Sequence, residues 1–415
     1  MKLLFVHQNF PGQYRHLAAH YARQGAEVVA LGETRNLPGK ARIPGVKLFG
    51  YEFQDKAADP FTGSVERAIA RGRVVAGAAA QLRGRGLRPD VVFAHIGWGE
   101  AIFLKDVFPE AKLLLYAEFF YRARGADLGF DPEFPVSAEK VLRTRVMNAP
   151  LLMSLDAADW SVAPTRWQAG RFSPAQRARM SVVHDGIDTD YIGSSRRDCP
   201  EEELVTYVSR NLEPYRGFHV FMRAIPEIQR RRPRARIAII GGDDVSYSPR
   251  LPDGDTWRAR LLRELEGKID LSRVTFTGKL PYHEYLALLS RSSAHVYLTY
   301  PFVLSWSLLE AMAAGCCIIG SRTAPVEEAI EHGVNGLLVD FFSPEGIAAA
   351  VDEALSRDTR PLRERARQTV LERYDLRRVC LPAQLRLVEK LLGSRSEAPP
   401  QAASRTVSRP AALAS

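Results

Sequence analysis

The stretch Tyr300–Gly320, YPFVLSWSLLEAMAAGCCIIG, holds the residues whose types and spacing could do chemistry. Pro301 ends an apolar run at His295–Thr299. Ser305 or Ser307 can then cap a helix over Trp306–Ala314, where Leu, Ala and Met are strong helix formers. Gly315 is placed to end that helix, and Cys316–Ile319 reads as a buried strand. A helix that opens at the C-terminal end of a strand presents unpaired backbone N–H groups and the positive end of its dipole, which suits a phosphate. Glu310 lies on the same helix. A carboxylate beside a phosphate site suits a ribose diol, because it accepts two hydroxyl hydrogen bonds at once.

Further candidates stand at strand ends. His95 closes the apolar run Asp90–His95, and a histidine there lies on the ligand-bearing edge of a parallel sheet. Glu118, in YAEFFYR after Lys112–Ala117, could accept a hydrogen bond from an acceptor hydroxyl or activate it; equally, it could pair with Arg122 or Arg124. Gly12, in the loop HQNFPGQYR after Lys2–Val6, would let backbone approach a bound phosphate or acceptor. Gly241-Gly242 permits close approach of a ligand, and backbone at Gly278-Lys279 could read a nucleotide base. The D-x-D matches Asp188-Thr189-Asp190 and Asp253-Gly254-Asp255 lack the context in which two carboxylates share a cation, so no metal site is expected. The first loop lacks G-x-G-x-x-G, which argues against a dehydrogenase.

LLEAMAAG, the apolar strand after it and APVEEAIEHGVNGLLV resemble the donor-site signature of family 4 glycosyltransferases, and the similarity runs from about Met1 to Leu392. The resemblance implies an α/β GT-B fold, two doubly wound Rossmann-like domains facing across a cleft. It also implies retaining transfer from a nucleotide-diphosphate sugar. Arg210 and Arg216 flank NLEPY and resemble the family's Arg…Lys pair on the donor diphosphate, with a fork in place of a point charge. Fixed cations there matter most as negative charge develops on the leaving diphosphate. With them and the helix N-terminus, neither a metal nor any cofactor beyond the nucleotide sugar is implied. His95 resembles a family histidine near the sugar, and Glu118 stands where many members carry a histidine. The family's two glutamates are separated by seven residues; Glu310 fits the second, and the first falls on Phe302. Recognition of the sugar would pass to His95 or to backbone at Val303, Leu304 and Ser305, with Trp306 and Ser307 completing the donor site. His95, Arg210, Arg216 and Glu310 are thus the expected catalytic set, with His95 and Glu118 on the acceptor side. A non-catalytic nucleotide-sugar-binding scaffold and a sugar-nucleotide epimerase on the same fold are the competing readings.

These residues need elements to position them. Strand and helix patterns alternate along both halves: strands at Lys2–Val6, Ala26–Leu31, Asp90–His95, Lys112–Ala117 and Trp160–Pro164, then Leu204–Ser209, Ala235–Ile240 and Arg273–Phe276. Helices are expected at His16–Gln24, Val65–Leu82, from Gly99, over Ser137–Ala158, and at Gly217–Arg230, Trp257–Glu266, Tyr282–Ser290, Pro344–Leu355 and Leu362–Tyr374. Arg42–Phe53 reads as irregular or extended, and Tyr121–Phe134 as a flexible cleft-side loop that contacts acceptor. The division expected is an acceptor-side domain over 1–192, a linker over 193–203 and a nucleotide-sugar domain over 204–375. A helix over 376–392 returns to the first domain, and a disordered tail covers 393–415.

The length of 415 residues, 46% hydrophobic and 25% charged, fits two ordinary globular domains. No apolar run approaches a spanning helix, and no signal peptide is read. The four cysteines lack metal or redox spacing, so reduced, cytosolic thiols are expected. The net charge of +9 is concentrated in Arg71–Arg88, Arg171–Arg179 and Arg230–Arg236. Solvated helix faces or contact with an anionic membrane, including the inner face of the cell membrane, account for it. No module points to nucleic acid. The expected partners are a nucleotide sugar and a saccharide, lipid-linked or other hydroxyl acceptor.

Overall fold

The computed structural model describes residues 1–39, 42–56, 59–193 and 203–393. The linker and tail readings, apart from their end residues, lie outside the described residues, as does Cys199. Short apolar runs form strands because both faces of a parallel sheet are covered by helices. The first half holds β1 (Lys2–Val6), β2 (Glu27–Glu33), β3 (Val46–Tyr51), β4 (Val91–His95), β5 (Lys112–Tyr116), β6 (Trp160–Ala163) and β7 (Met180–Val182). The second holds β8 (Leu204–Asn211), β9 (Arg236–Gly242), β10 (Val274–Gly278), β11 (Ala294–Tyr297), β12 (Ile318–Ser321) and β13 (Leu337–Val339). The orders are β3-β2-β1-β4-β5-β6-β7 and β10-β9-β8-β11-β12-β13, with parallel pairing throughout. This is the doubly wound, two-domain α/β arrangement. In each sheet the order reverses once, between β1 and β4 and between β8 and β11, and ligands enter at such switch points beyond the strand C-termini.

Two features lock the halves together. The segment 119–136 leaves β5 and joins the hydrophobic core of the second half through Phe119, Ala126, Phe130 and Phe134. It is a packed strap, not the flexible loop expected of Tyr121–Phe134. Its buried Asp131 accepts from His219 Nε2 at 2.9 Å and Tyr300 Oη at 2.7 Å, and Asp127 accepts from Tyr215 Oη at 2.9 Å. The last helix, Leu381–Gly393, returns to the first half, where Val388 and Leu391 pack with Leu17 and Tyr21. Its approach is a wide turn, Leu376–Cys380, capped by Asp375, so the helix begins later than Leu376.

Other expectations shift for physical reasons. No helix starts at Gly99: its φ is +90°, and a Cβ there would come within 2.1 Å of Ala68 O, so the chain turns until a short helix at Leu104–Val107. Ser137–Ala158 is two helices, Ala138–Met147 and Ala149–Ala157. Asn148 separates them while its side chain bonds both N and O of Tyr121, at 3.0 and 2.9 Å. Arg42–Phe53, by contrast, is extended as one of its two readings had it: it contains β3, paired along β2. Cys316 does not open a strand; its N–H closes on Ala311 O at 3.0 Å, and β12 starts at Ile318. Cys316, Cys317 and Cys380 are buried free thiols. Among the described residues no helix is long and apolar enough to cross a membrane. Much of the arginine excess is paired internally, as in Arg230 and Arg231 on Glu227 and Arg232 on Asp352.

Candidate functional site

At the first switch point three adjacent strands deliver their next residues to one place. His7 follows β1, His95 ends β4 and Glu118 follows β5. His95 Nδ1 accepts from Gly97 N at 2.9 Å, which leaves Nε2 to carry the proton of a neutral ring; Nε2 faces Glu118 Oε2 at 3.5 Å. The ring is buried and stacks on Trp98 at 4.1 Å. His7 is held alike: Nδ1 accepts from Asn9 N at 2.9 Å, and Nε2 meets Gln13 Oε1 at 2.8 Å. Gln13 Nε2 in turn donates to Glu118 Oε1 at 3.2 Å. The half-buried Glu118 is therefore the hub of a His7–Gln13–Glu118–His95 chain, and it pairs with neither Arg122 nor Arg124. Burial works to raise its pKa, but His95, Arg210 and Gln13 outweigh that and hold it below the usual carboxylate value. Gly12 lies against this chain, in the loop after β1. Its φ is +46°, and a Cβ would meet His7 Nε2 at 2.6 Å.

At the second switch point the loops after β8 and β11 face this network. Arg210, exposed near the end of β8, lines a pocket with Arg216, Tyr247, Ser305 and Ser307. Arg216 is buried; its Nη1 donates to Thr299 Oγ1 at 2.8 Å, Val303 O at 3.0 Å and Tyr297 Oη at 3.3 Å. Burial alone would weaken its charge, yet Tyr297, Tyr247 and Glu213 keep its pKa above the ordinary arginine value. Glu213 is buried and accepts three backbone N–H groups, from Ser246, Tyr247 and Ser248, at 3.1, 3.0 and 2.8 Å. It thereby seats Tyr247 over the Arg216 guanidinium, 5.5 Å from the ring centroid.

The helix Trp306–Ala314 forms with the expected bounds, Ser305 as its cap and Gly315 left-handed at its end. Its N-terminus is less free than expected. Ser305 N donates to Tyr297 Oη at 2.9 Å, and Ser307 N donates to Ser305 Oγ at 3.3 Å. Val303 O is taken by Arg216. Leu304 is buried in the apolar core, and Trp306 Nε1 reaches across to Asp185 Oδ2 at 2.9 Å. Asp185 also accepts from Tyr116 Oη at 3.0 Å, and burial pushes its pKa up to about 7. Glu310 accepts one tyrosine hydroxyl on each oxygen, Tyr282 and Tyr285, both at 2.9 Å. Each oxygen keeps a second lone pair for a diol. Burial raises the pKa of Glu310 despite those two bonds.

Gly241 and Gly242 sit among close neighbours. A Cβ on Gly241 would sit 2.7 Å from Ser209 O, so that glycine admits the neighbouring strand. Lys279 runs past Gly242, where a Cβ would lie 2.5 Å from its Cε. Gly278 ends β10 with φ +69° in open space. Phe302 is buried against Phe119, Tyr247 and Tyr215, with centroids 4.7, 4.9 and 5.6 Å away. Asp188 and Asp190 pair with Arg377 and Arg378, and Asp255 with Arg263. Among the described residues, Asp131, Glu133 and His219 place ligand atoms within 4.8 Å of one another. They are already engaged: Asp131 holds His219, and Glu133 takes both Nη atoms of Arg223, at 2.6 and 3.0 Å. Sequence reasoning missed His7, Gln13 and Asp185. His7 carried a usable signal, because it follows β1 as His95 ends the adjacent β4.

Known proteins match both halves. The family "Glycosyl transferase family 4 group" matches residues 24–192, and "Glycosyl transferases group 1" matches 195–373. Glycogen synthase of Mycobacterium tuberculosis is 30% identical over 193 residues, 46% of this chain and 43% of that protein. The same organism's GDP-mannose-dependent alpha-(1-6)-phosphatidylinositol monomannoside mannosyltransferase is 28% identical over 67% of this chain and 71% of its own length. The chain thus spans less than half of the synthase and about seven-tenths of the mannosyltransferase. Among solved structures, sucrose-phosphate synthase from Thermosynechococcus elongatus superposes with a TM-score of 0.74 at 17% identity, over 95% of this chain and 100% of that one. Anabaena HepE in complex with UDP gives 0.64 at 16%, over 95% and 100%. At such identities these two speak for the fold. Matched in both halves, and built as two doubly wound sheets with their switch points facing, the chain belongs to the family 4 glycosyltransferases of the GT-B fold.

Proposed function

We propose that the protein transfers a sugar, with retention, from a nucleotide-diphosphate sugar to an acceptor hydroxyl in the synthesis of a cell-envelope saccharide or glycoconjugate. The observation that carries this reading is the convergence of Arg210, Arg216, Ser305 and Ser307 on one pocket opposite the Glu118–His95 network. In the reaction the bond from the anomeric carbon to the diphosphate oxygen breaks, and its electron pair leaves with the diphosphate. The acceptor oxygen bonds to the same face, and its proton passes to the departing phosphate. Arg210 and Arg216 meet the charge as it develops, so donor binding needs no metal. Glu118, held ionised, orients the acceptor hydroxyl, and His95 holds Glu118. Glu310 receives the ribose.

The printed descriptions of relatives support a nucleotide-sugar donor: HepE was solved with UDP and with UDP-glucose, and the mannosyltransferase is named as GDP-mannose-dependent. The latter's phosphatidylinositol mannoside, together with the exposed basic faces, supports a lipid-linked acceptor reached at a membrane surface. The test is calorimetry of UDP, GDP, ADP and dTDP after chelator treatment, repeated with added Mg²⁺ and on Glu310→Ala. One diphosphate should bind without metal, and the variant should bind it about tenfold more weakly, the worth of one charged hydrogen bond. No binding of any diphosphate would refute the reading. Phe302 in its aromatic cage favours a second reading, a nucleotide-sugar-binding scaffold. That protein would bind the diphosphate yet never consume donor.

A further inference from the structure

A second pocket lies between the strap and the second half, on the far side of Tyr215 from the Arg210 pocket. We propose that it is a separate saccharide-binding site. Its volume is about 250 Å³, just below the roughly 300–1,000 Å³ of drug-sized ligand pockets. Its lining includes four aromatic rings, Phe134, Tyr215, Trp257 and Tyr300. Flat apolar faces of this kind suit the C–H face of a pyranose, while the sugar's hydroxyls need buried donors and acceptors.

Those groups are present. Asp127 lines the pocket, 9% exposed, and accepts from the Tyr215 hydroxyl as well as from backbone at Asp127 and Leu128. Ser248 Oγ and Trp257 Nε1 belong to lining residues that are 8% and 5% exposed, and neither atom has a hydrogen-bond partner. Buried polar atoms are ordinarily satisfied, and these two, themselves inaccessible to solvent, keep spare hydrogen-bonding capacity beside the pocket. Lys140 and Arg260 stand at the rim, the latter with its guanidinium 5.2 Å from the Trp257 ring centroid. The lining carries two carboxylates, Asp127 and Asp131, and three cations, Lys140, Arg250 and Arg260, so a hydroxyl-rich ligand finds both acceptors and donors there.

The two pockets share a wall. The Tyr215 ring packs on Tyr300, Phe302 and Tyr247, at 4.7, 5.6 and 5.8 Å, and the next residue, Arg216, lines the Arg210 pocket. A saccharide here also bridges the strap to the second half, so it braces the two domains against each other. None of this depends on which donor the other pocket takes, or on whether it takes one.

The experiment is calorimetry of the full chain with maltotriose and with an α-1,6-linked mannotriose, on wild type, Asp127→Asn and Arg260→Ala, with UDP and GDP titrated in parallel. At least one trisaccharide should bind wild type at millimolar concentration or better. Asp127→Asn is close in shape and should weaken that binding about tenfold or more, while nucleotide affinity holds. Arg260→Ala, at an exposed position away from the core, should show a smaller loss and so keeps the test valid if the first variant folds poorly. Failure of both trisaccharides to bind, or wild-type affinity in both variants, overturns the proposal. Trisaccharide binding that is lost in Asp127→Asn, in a protein that binds no nucleotide, sustains it and removes the donor reading instead.

Discussion

Asp185 should make the protein less stable as pH rises from about 4 to about 7, and Asp185→Asn should abolish that dependence. The carboxylate is 7% exposed and receives Tyr116 from the first half and Trp306 from the second. Burial lifts its pKa from an ordinary 3.8 to about 7. Between those values the folded protein holds a proton that the unfolded chain has lost, so unfolding releases a proton and stability falls with pH. Each unit is worth about 1.4 kcal/mol, so a displacement of about 3 units amounts to roughly 4 kcal/mol at pH 8, as an upper figure. His184 beside it is pushed down to about 4 by burial and stays neutral across the window. In Asp185→Asn the amide oxygen can accept the same two bonds but does not titrate. Urea unfolding of both proteins at pH 5, 6, 7 and 8 measures the difference, and titrations common to both cancel. The variant should gain on wild type by about 1.4 kcal/mol per unit from pH 5 to about 7, and the gain should level off by pH 8. A stability difference constant across the range would refute the reasoning. A variant that falls further behind as pH rises would show that the ionised carboxylate and its two donors are a net stabilising unit.

Arg210→Ala should lose about 10²–10³ in turnover, the usual cost of one preorganised charge stabiliser, while melting unchanged, because the side chain is exposed; near-wild-type turnover in a steady-state assay would remove it from the mechanism. Phe302→Glu should destabilise by about 3–5 kcal/mol in urea, since it replaces a ring packed on Phe119, Tyr215 and Tyr247 with an unpaired buried charge; a loss below about 1 kcal/mol would mean that the cage opens readily. Gly12→Ala forces a methyl against His7 Nε2 and strains a left-handed residue, so turnover should fall and stability drop by about 1–3 kcal/mol while nucleotide affinity stays, as calorimetry would record.

What was legible in the sequence was what local physics decides. The helix Trp306–Ala314 could be bounded at both ends because a serine cap and a left-handed glycine act within one turn of the chain they terminate. The alternation of strand and helix implied parallel sheets, and hence that His95, Glu118 and Arg210 would stand at C-terminal strand edges. What such reading could not reach is which neighbours use up each group. Gly12 and Gly241 looked like room for a ligand, and the structure sets His7 against the first and the adjoining strand against the second.

The same limit explains the strap. The bonds that fix it run from Asp127 to Tyr215, from Asp131 to His219 and from Asp131 to Tyr300, across 88, 88 and 169 residues. No periodicity in a window of a dozen residues carries that information, and a stretch containing Gly, Asp and Pro reads locally as a mobile loop. Once these contacts are known, Phe302 also takes on a different meaning. By comparison with the family it is a missing glutamate. In the structure it is the centre of an aromatic wall that joins strap residue Phe119 to Tyr215 and Tyr247. A glutamate placed there would be buried among these rings with no cation assigned to it. The loss of that carboxylate and the packing of the strap onto the second half are therefore two sides of one arrangement, and sugar recognition has to be sought in what the wall separates: the Arg210 pocket on one side and the aromatic pocket beneath the strap on the other.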